Sequence, residues 1–231
     1  MKRILALLLA LVLAVPLVPI RAEAKTGGKL VALTFDDGPS GKFTRQLLEG
    51  LAQRNAKATF LRCGYRMEQY PELTERIFRE GHEIGLHGYS HKFMQNMCRA
   101  EVTQEIQRGM ALLPEGCEAV LLRSPGGLYR ICVIDAAAEQ GLSILHWSVD
   151  PKDWATHDAD AIEQEILRHV QDGDVILLHD MSDSSVEAAL AIIDELQEEG
   201  YRFVTASELA QARNIPLIPG KKYTRFDPAG S

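Results

Sequence analysis

Asp36 and Asp37, followed about fifty residues later by His87-Gly-Tyr-Ser-His91, are the side chains from which a hydrolytic metal site is built. One Asp and two His hold a divalent ion and leave positions open for water and substrate. The second carboxylate is then free to take a proton from that water. The spacing of His87 and His91 lets two imidazoles converge on one ion when the turn between them is helical. Asp36 and Asp37 run into Gly38-Pro39, a strand-to-turn sequence. Adjacent residues there point in different directions, so one carboxylate can ligate an ion while the other faces its water.

Further polar residues complete a hydrolytic set. Arg123 opens Arg123-Ser-Pro-Gly-Gly127; it can hold Asp36 through charge-assisted hydrogen bonds, while the Pro-Gly turn offers backbone N–H groups to an oxyanion. Asp150-Pro-Lys-Asp153-Trp154 and Leu177-Leu178-His179-Asp180 supply the rest. A buried aspartate beside His179 would favour its protonated form and suit it to protonate a leaving nitrogen. Trp154 can wall a pocket for a small apolar group. His82 is read as structural, His157 and His169 as solvated, and His146 and Trp147 as core residues within a strand.

The elements that must position these groups follow from the hydropathy pattern. Short apolar runs alternate with helical patterns. Strands are expected at Lys29–Phe35, Ala58–Arg62, His82–His87, Ala119–Arg123, Leu142–Val149, Asp174–His179 and Tyr201–Val204. Helices are expected near Lys42–Arg54, Gln69–Glu80, Ala100–Leu113, Tyr129–Gln140, Asp158–Gln171, Ser185–Glu199 and Ala206–Ala212. Gly81, Gly141, Gly173 and Gly200 each sit between a helical run and a strand, where a helix stop is expected. Apolar strands separated by helices imply parallel pairing with both faces covered, in a β/α barrel or an open doubly wound sheet. Asp36, Asp37, His87, Arg123, Asp150 and His179 all fall at or just past the C-terminal ends of different strands, the edge where such folds build active sites.

The chain has 231 residues, 46% of them apolar, enough for one domain with a sizeable core. Lys2 and Arg3 precede an apolar run to about Ile20, and Ala22-Glu23-Ala24 ends in a small-x-small pattern. Residues 1–24 therefore read as a signal peptide, the alternative being an uncleaved membrane anchor; either form exports the domain. A net charge of −7, more acidic still without the leader, argues against nucleic acid as a partner. Cys63, Cys98, Cys117 and Cys132 allow three full pairings, and no C-x-x-C occurs. Residues 213–231 read as an extended tail.

T-F-D-D-G-P, H-x-x-x-H, R-x-P-G-G, D-x-x-D-W and L-L-H occur in the order found in the polysaccharide deacetylases of the NodB-homology type, carbohydrate esterase family 4, which the chain resembles over residues 29–212. The resemblance implies a distorted β/α barrel in which Asp37, His87 and His91 bind zinc, or cobalt, nickel or manganese. It further implies Asp36 as base, Arg123 as its orienting partner and His179 as acid tuned by Asp150. Gly126 would supply an oxyanion N–H, and Trp154 and Leu177 would line the acetate pocket. The expected activity is removal of acetyl groups from an acetylated polysaccharide, with cell-wall glycan first. Two departures stand out: Gly88 replaces the Ser or Thr that the family often carries after its first histidine, and Ser124 and Gly126 replace two residues of R-P-P-Y. A non-catalytic glycan-binding relative, an amidohydrolase for small amides and a non-haem iron oxygenase are the other readings.

Overall fold

The computed structural model describes residues 28–228; the leader assigned to residues 1–24 lies outside them. Its organising strand is β1 (Lys29–Asp37), KLVALTFDD, buried from Leu30 to Asp36. A run this apolar suits a strand covered on both faces. After it come α1 (Phe43–Gln53), β2 (Ala58–Arg62), α2 (Gly64–Gln69), α3 (Pro71–Arg79) and β3 (Glu83–Leu86). Then follow α4 (Arg99–Met110), β4 (Leu121–Leu122), α5 (Ile131–Glu139), β5 (Ser143–Leu145) and α6 (Ala159–His169). The chain continues through β6 (Val175–His179), α7 (Asp183–Glu198), β7 (Tyr201–Phe203), α8 (Ala206–Ala212) and β8 (Lys222–Tyr223).

The strands lie in the order β6-β1-β2-β3-β4-β5-β8, with β7 paired to the start of β1, and the pairings between them are parallel. This is a curved, helix-wrapped parallel sheet, the distorted β/α barrel expected from the sequence. Alternation along each strand divides its residues between two cores. Val31, Leu33 and Phe35 pack outward with α1 and α7 residues such as Leu47, Leu51 and Ile192. Leu30 and Ala32 face a smaller inner core with Leu61, Leu121, Leu145, Val175 and Phe226.

Several boundaries differ from the sequence reading. The helix expected over 69–80 is α3, which Pro71 starts at its first turn, and a further short helix, α2, precedes it where none was expected. β4 and β5 have only two and three residues. His146 and Trp147 therefore lie beyond β5, not within a strand. The tail is part of the barrel: β8 pairs with β5, Arg225 bridges to Asp174, and Phe226 is fully buried. The four cysteines are free thiols. Among the described residues no helix is long and apolar enough to cross a membrane.

Candidate active site

The inward alternation of β1 continues past Leu30 and Ala32 to Thr34 and Asp36, so Asp36 ends the inner ladder at the C-terminal edge. On β6 the same face carries Val175, Leu177 and His179. β1 and β6 pair with Asp36 level with His179, which sets a carboxylate and an imidazole at one height on adjacent strands.

Arg123 follows β4 directly and is fully buried. Its Nη1 donates to Asp36 Oδ1 at 2.7 Å and Thr34 Oγ1 at 2.8 Å, its Nε to the Leu145 carbonyl at 3.1 Å and its Nη2 to the His146 carbonyl at 2.8 Å. These bonds fix one Asp36 oxygen and leave the other, Oδ2, 3.7 Å from His87 Nε2. Asp37 leaves the strand direction with φ +73°, a left-handed conformation that Asp tolerates better than most residues. The next residue must be glycine: a Cβ on Gly38 would lie 2.2 Å from Arg62 Nη1 and 2.5 Å from Asp180 Oδ1.

Asp37, His87 and His91 form a three-donor cluster whose ligand atoms lie within 4.8 Å of one another. Asp37 Oδ1 sits 3.5 Å from His87 Nε2 and 3.0 Å from His91 Nε2, yet it is buried and accepts no hydrogen bond of acceptable geometry. An orphaned carboxylate oxygen facing two imidazole nitrogens is what a divalent cation would satisfy. His87 Nδ1 lies 2.8 Å from the Arg123 carbonyl, which can only accept, so Nδ1 carries the proton and Nε2 keeps its lone pair toward the cluster. Burial lowers the His87 pKa against the pull of Asp36 and Asp37, which keeps this imidazole neutral. Burial works to raise the Asp37 pKa, but His91 and His87 hold it well below the usual carboxylate range. The residues present fit a metal.

His87 and His91 converge through a loop rather than the helical turn expected from their spacing: Gly88 and His91 have φ of +76° and +58°. Glu105 on α4 fastens that loop. Its Oε2 accepts the N–H groups of Tyr89 and Ser90 at 2.8 and 2.7 Å, and its Oε1 accepts the Ser90 hydroxyl at 3.0 Å. The carboxylate thus does the fastening that a hydroxyl after the first histidine would otherwise contribute.

The partner of His179 is Asp153, not Asp150. Asp153 is 1% exposed; its Oδ2 accepts the His179 backbone N–H and its Oδ1 faces His179 Nδ1, both at 2.8 Å. Asp150 uses Oδ1 to accept the Lys152 N–H at 2.9 Å, closing a local turn, and lines the cavity. Burial depresses the His179 pKa, but Asp153 outweighs it, with help from Asp36 and Asp37, and raises it to about 9.

These groups surround a cavity of about 410 Å³, walled also by Gly126, Trp147, Trp154 and Leu177. Leu177 is nearly buried, whereas Trp154 is 63% exposed at the rim. Gly127 donates its N–H to the Ser124 carbonyl at 2.8 Å, turning Gly126 into the wall. Trp147 belongs to the site rather than the core, because β5 ends at Leu145 and leaves it on the loop that follows. Asp153 was visible as the second acid of D-x-x-D-W, but only the fold distinguishes it from Asp150. His82 is structural, as expected: it is buried, its Nδ1 accepts the Ala58 N–H at 3.3 Å, and burial lowers its pKa to about 4.

Residues 23–145 match the family model for polysaccharide deacetylase. The chain is 37% identical to a peptidoglycan-N-acetylglucosamine deacetylase of Bacillus cereus, over 83% of this chain and 93% of that one. It is 33% identical to the peptidoglycan-N-acetylmuramic acid deacetylase PdaC of Bacillus subtilis over 80% of this chain, and spans only 39% of that longer protein. A family 4 acetyl xylan esterase from Clostridium thermocellum, solved in complex with a cobalt ion, superposes with a TM-score of 0.80 at 31% identity. That match covers 85% of this chain and 98% of the esterase.

Proposed function

This chain belongs to the polysaccharide deacetylase family, carbohydrate esterase family 4, and from that premise we propose that it is an exported hydrolase that removes N-acetyl groups from cell-wall glycan. The observation that supports this most directly is the placement of Asp36 and His179 at one level on β1 and β6, both lining the cavity that holds the Asp37, His87 and His91 cluster. Those three residues would hold the ion, zinc first, with cobalt, nickel or manganese as substitutes. A divalent ion there polarises the acetyl carbonyl and lowers the pKa of the attacking water.

The remaining work falls to side chains of the chain. Asp36, kept in one orientation by Arg123, takes the proton from the attacking water. The Gly126 N–H meets the charge that develops on the carbonyl oxygen. His179, protonated at neutral pH and held by Asp153, gives its proton to the departing sugar amine, and acetate is released. Trp154, Trp147 and Leu177 enclose the acetyl methyl. Similarity to relatives named for peptidoglycan N-acetylglucosamine and N-acetylmuramic acid supports reading peptidoglycan, ahead of chitin-like oligomers, as the substrate.

The test is acetate and free-amine release from peptidoglycan fragments and N-acetylglucosamine oligomers. Release by the zinc-loaded protein should vanish on chelation and return with zinc. Asp36→Asn should lower kcat/KM by about 10²–10⁴-fold while the metal content by elemental analysis stays the same. Undiminished turnover in that variant, or in metal-free protein, would remove Asp36 or the ion from the reaction.

A further inference from the structure

We propose that Phe93 is a platform on which the sugar next to the reacting one stacks, and that the adjoining groove lined by Asn96, Gln104 and Arg108 receives that sugar. This rests on the glycan-deacetylase reading. Phe93 follows the His87–His91 loop and stands at the boundary of two cavities. One is the catalytic cavity; the other, about 610 Å³, shares His91 and Phe93 with it and runs along α4.

The ring is presented, not buried. Phe93 is 52% exposed, while the neighbouring Met94 is fully buried and the Phe93 carbonyl accepts the Asn96 N–H at 3.0 Å. The backbone is thus pinned and about half of the residue's surface is left to solvent at the edge of the catalytic cavity. Gly126 gives the ring its seat: a Cβ at that position would lie 2.8 Å from Phe93 Cε1. The aromatic wall beside the oxyanion turn therefore comes from the histidine loop, with the turn itself kept bare.

Because the two cavities share His91 and Phe93, a ligand that fills one can continue over the ring into the other. A polymer that places one acetamido group over Asp37, His87 and His91 has its next pyranose just outside, and the second cavity is the space that opens there. A pyranose has an apolar C–H face, which buries against an aromatic face, and a rim of hydroxyls. Beyond Phe93 the groove offers both kinds of surface: Met97 beside the amides of Asn96 and Gln104. Arg108 is already positioned, its guanidinium carbon 3.3 Å from the Tyr89 ring centroid. Two carboxylates also line the groove: Glu105, engaged by the Tyr89 and Ser90 N–H groups, and Glu101, which accepts the Cys98 N–H at 2.7 Å.

The experiment compares wild type, Phe93→Ala and Phe93→Tyr against N-acetylglucosamine and its tetramer, by calorimetric Kd and by acetate release. Phe93→Ala should weaken tetramer binding and raise the tetramer KM about ten-fold, with kcat changed less than KM. Phe93→Tyr should restore both, and the monomer should discriminate the three proteins far less than the tetramer does. Equal tetramer Kd and KM in wild type and Phe93→Ala overturns the platform, as does absence of measurable tetramer binding to wild type. Phe93-dependent tetramer binding without acetate release would support the platform while refuting deacetylation of this glycan. Release with Phe93-independent binding would do the reverse.

Discussion

Arg123 and Arg62 are both fully buried, and each places Nη1 2.7 Å from an aspartate oxygen, of Asp36 and Asp180 respectively. They differ in what surrounds the contact. Every nitrogen of Arg123 has a partner, two of them backbone carbonyls at the C-terminal end of β5, so the guanidinium cannot turn without breaking several bonds at once. Arg62 leaves Nε and Nη2 without hydrogen bonds and lies 4.3 Å over the Phe60 ring. Its aspartate is tied down from elsewhere: Thr44 bonds the carboxylate and Ser40 the backbone carbonyl at 2.6 Å. One pair is over-determined because it aims a reactive oxygen. The other packs beneath Gly38, and its contacts aim none of the atoms that face the cavity.

The sharpest way to break this comparison is to remove each arginine or its partner. Arg123→Met should strand Asp36 as an uncompensated buried carboxylate, costing about 3–5 kcal/mol of stability in urea titration. It should also lower kcat/KM by about 10³-fold at temperatures where the variant is folded, since the orientation of the base is lost. Asp180→Leu should cost a similar amount of stability for the same reason, yet leave kcat/KM of the folded protein within about three-fold. Combining it with Arg62→Met should recover most of the lost stability. If Asp180→Leu inactivates as deeply as Arg123→Met, the two pairs are not different in kind.

A smaller effect is expected at His179. Its pKa, raised to about 9 chiefly by Asp153 against burial, keeps this imidazole, the proposed acid, protonated through neutral pH. A raised folded-state pKa favours the protonated form, so this ion pair contributes its full stability below about pH 6.5 and loses it as pH rises through about 9. Activity that needs the proton follows the same upper limit. Asp153→Asn should therefore move the alkaline limb of kcat/KM downward by about two pH units, with about ten-fold lower activity at pH 8. An unmoved limb would assign the proton donor elsewhere; Asp150→Asn should leave it in place.

Residue spacing made the inner ladder legible. Asp36, Arg123, Leu177 and His179 lie on alternating strand positions that face inward, and period-two alternation together with the strand ends predicts them. Asp37, His87 and His91 were also legible, although their convergence depends on left-handed residues in a loop, which a spacing rule for helices does not describe. The choice between Asp150 and Asp153 was not legible, because three residues of turn decide which carboxylate swings under His179. Nor were Trp147, Phe93 and Glu105, whose roles depend on strand length and on contacts between elements far apart in sequence. β8 escaped notice because two residues carry no periodicity.

The pairing of β1 has a bearing on the order of assembly. Leu33 lies beside Ile176 and Val31 beside Phe203, so the first strand finds two of its neighbours only after most of the chain exists. Asp36, Asp37, His87 and His91 can gather around an ion from the N-terminal strands alone, but the proton donor joins them only when β6 docks. Such distant pairings slow folding and leave β1 exposed in the meantime. A nascent chain would thus bring together the candidate ligands Asp37, His87 and His91 well before the proposed proton donor on β6 could join them.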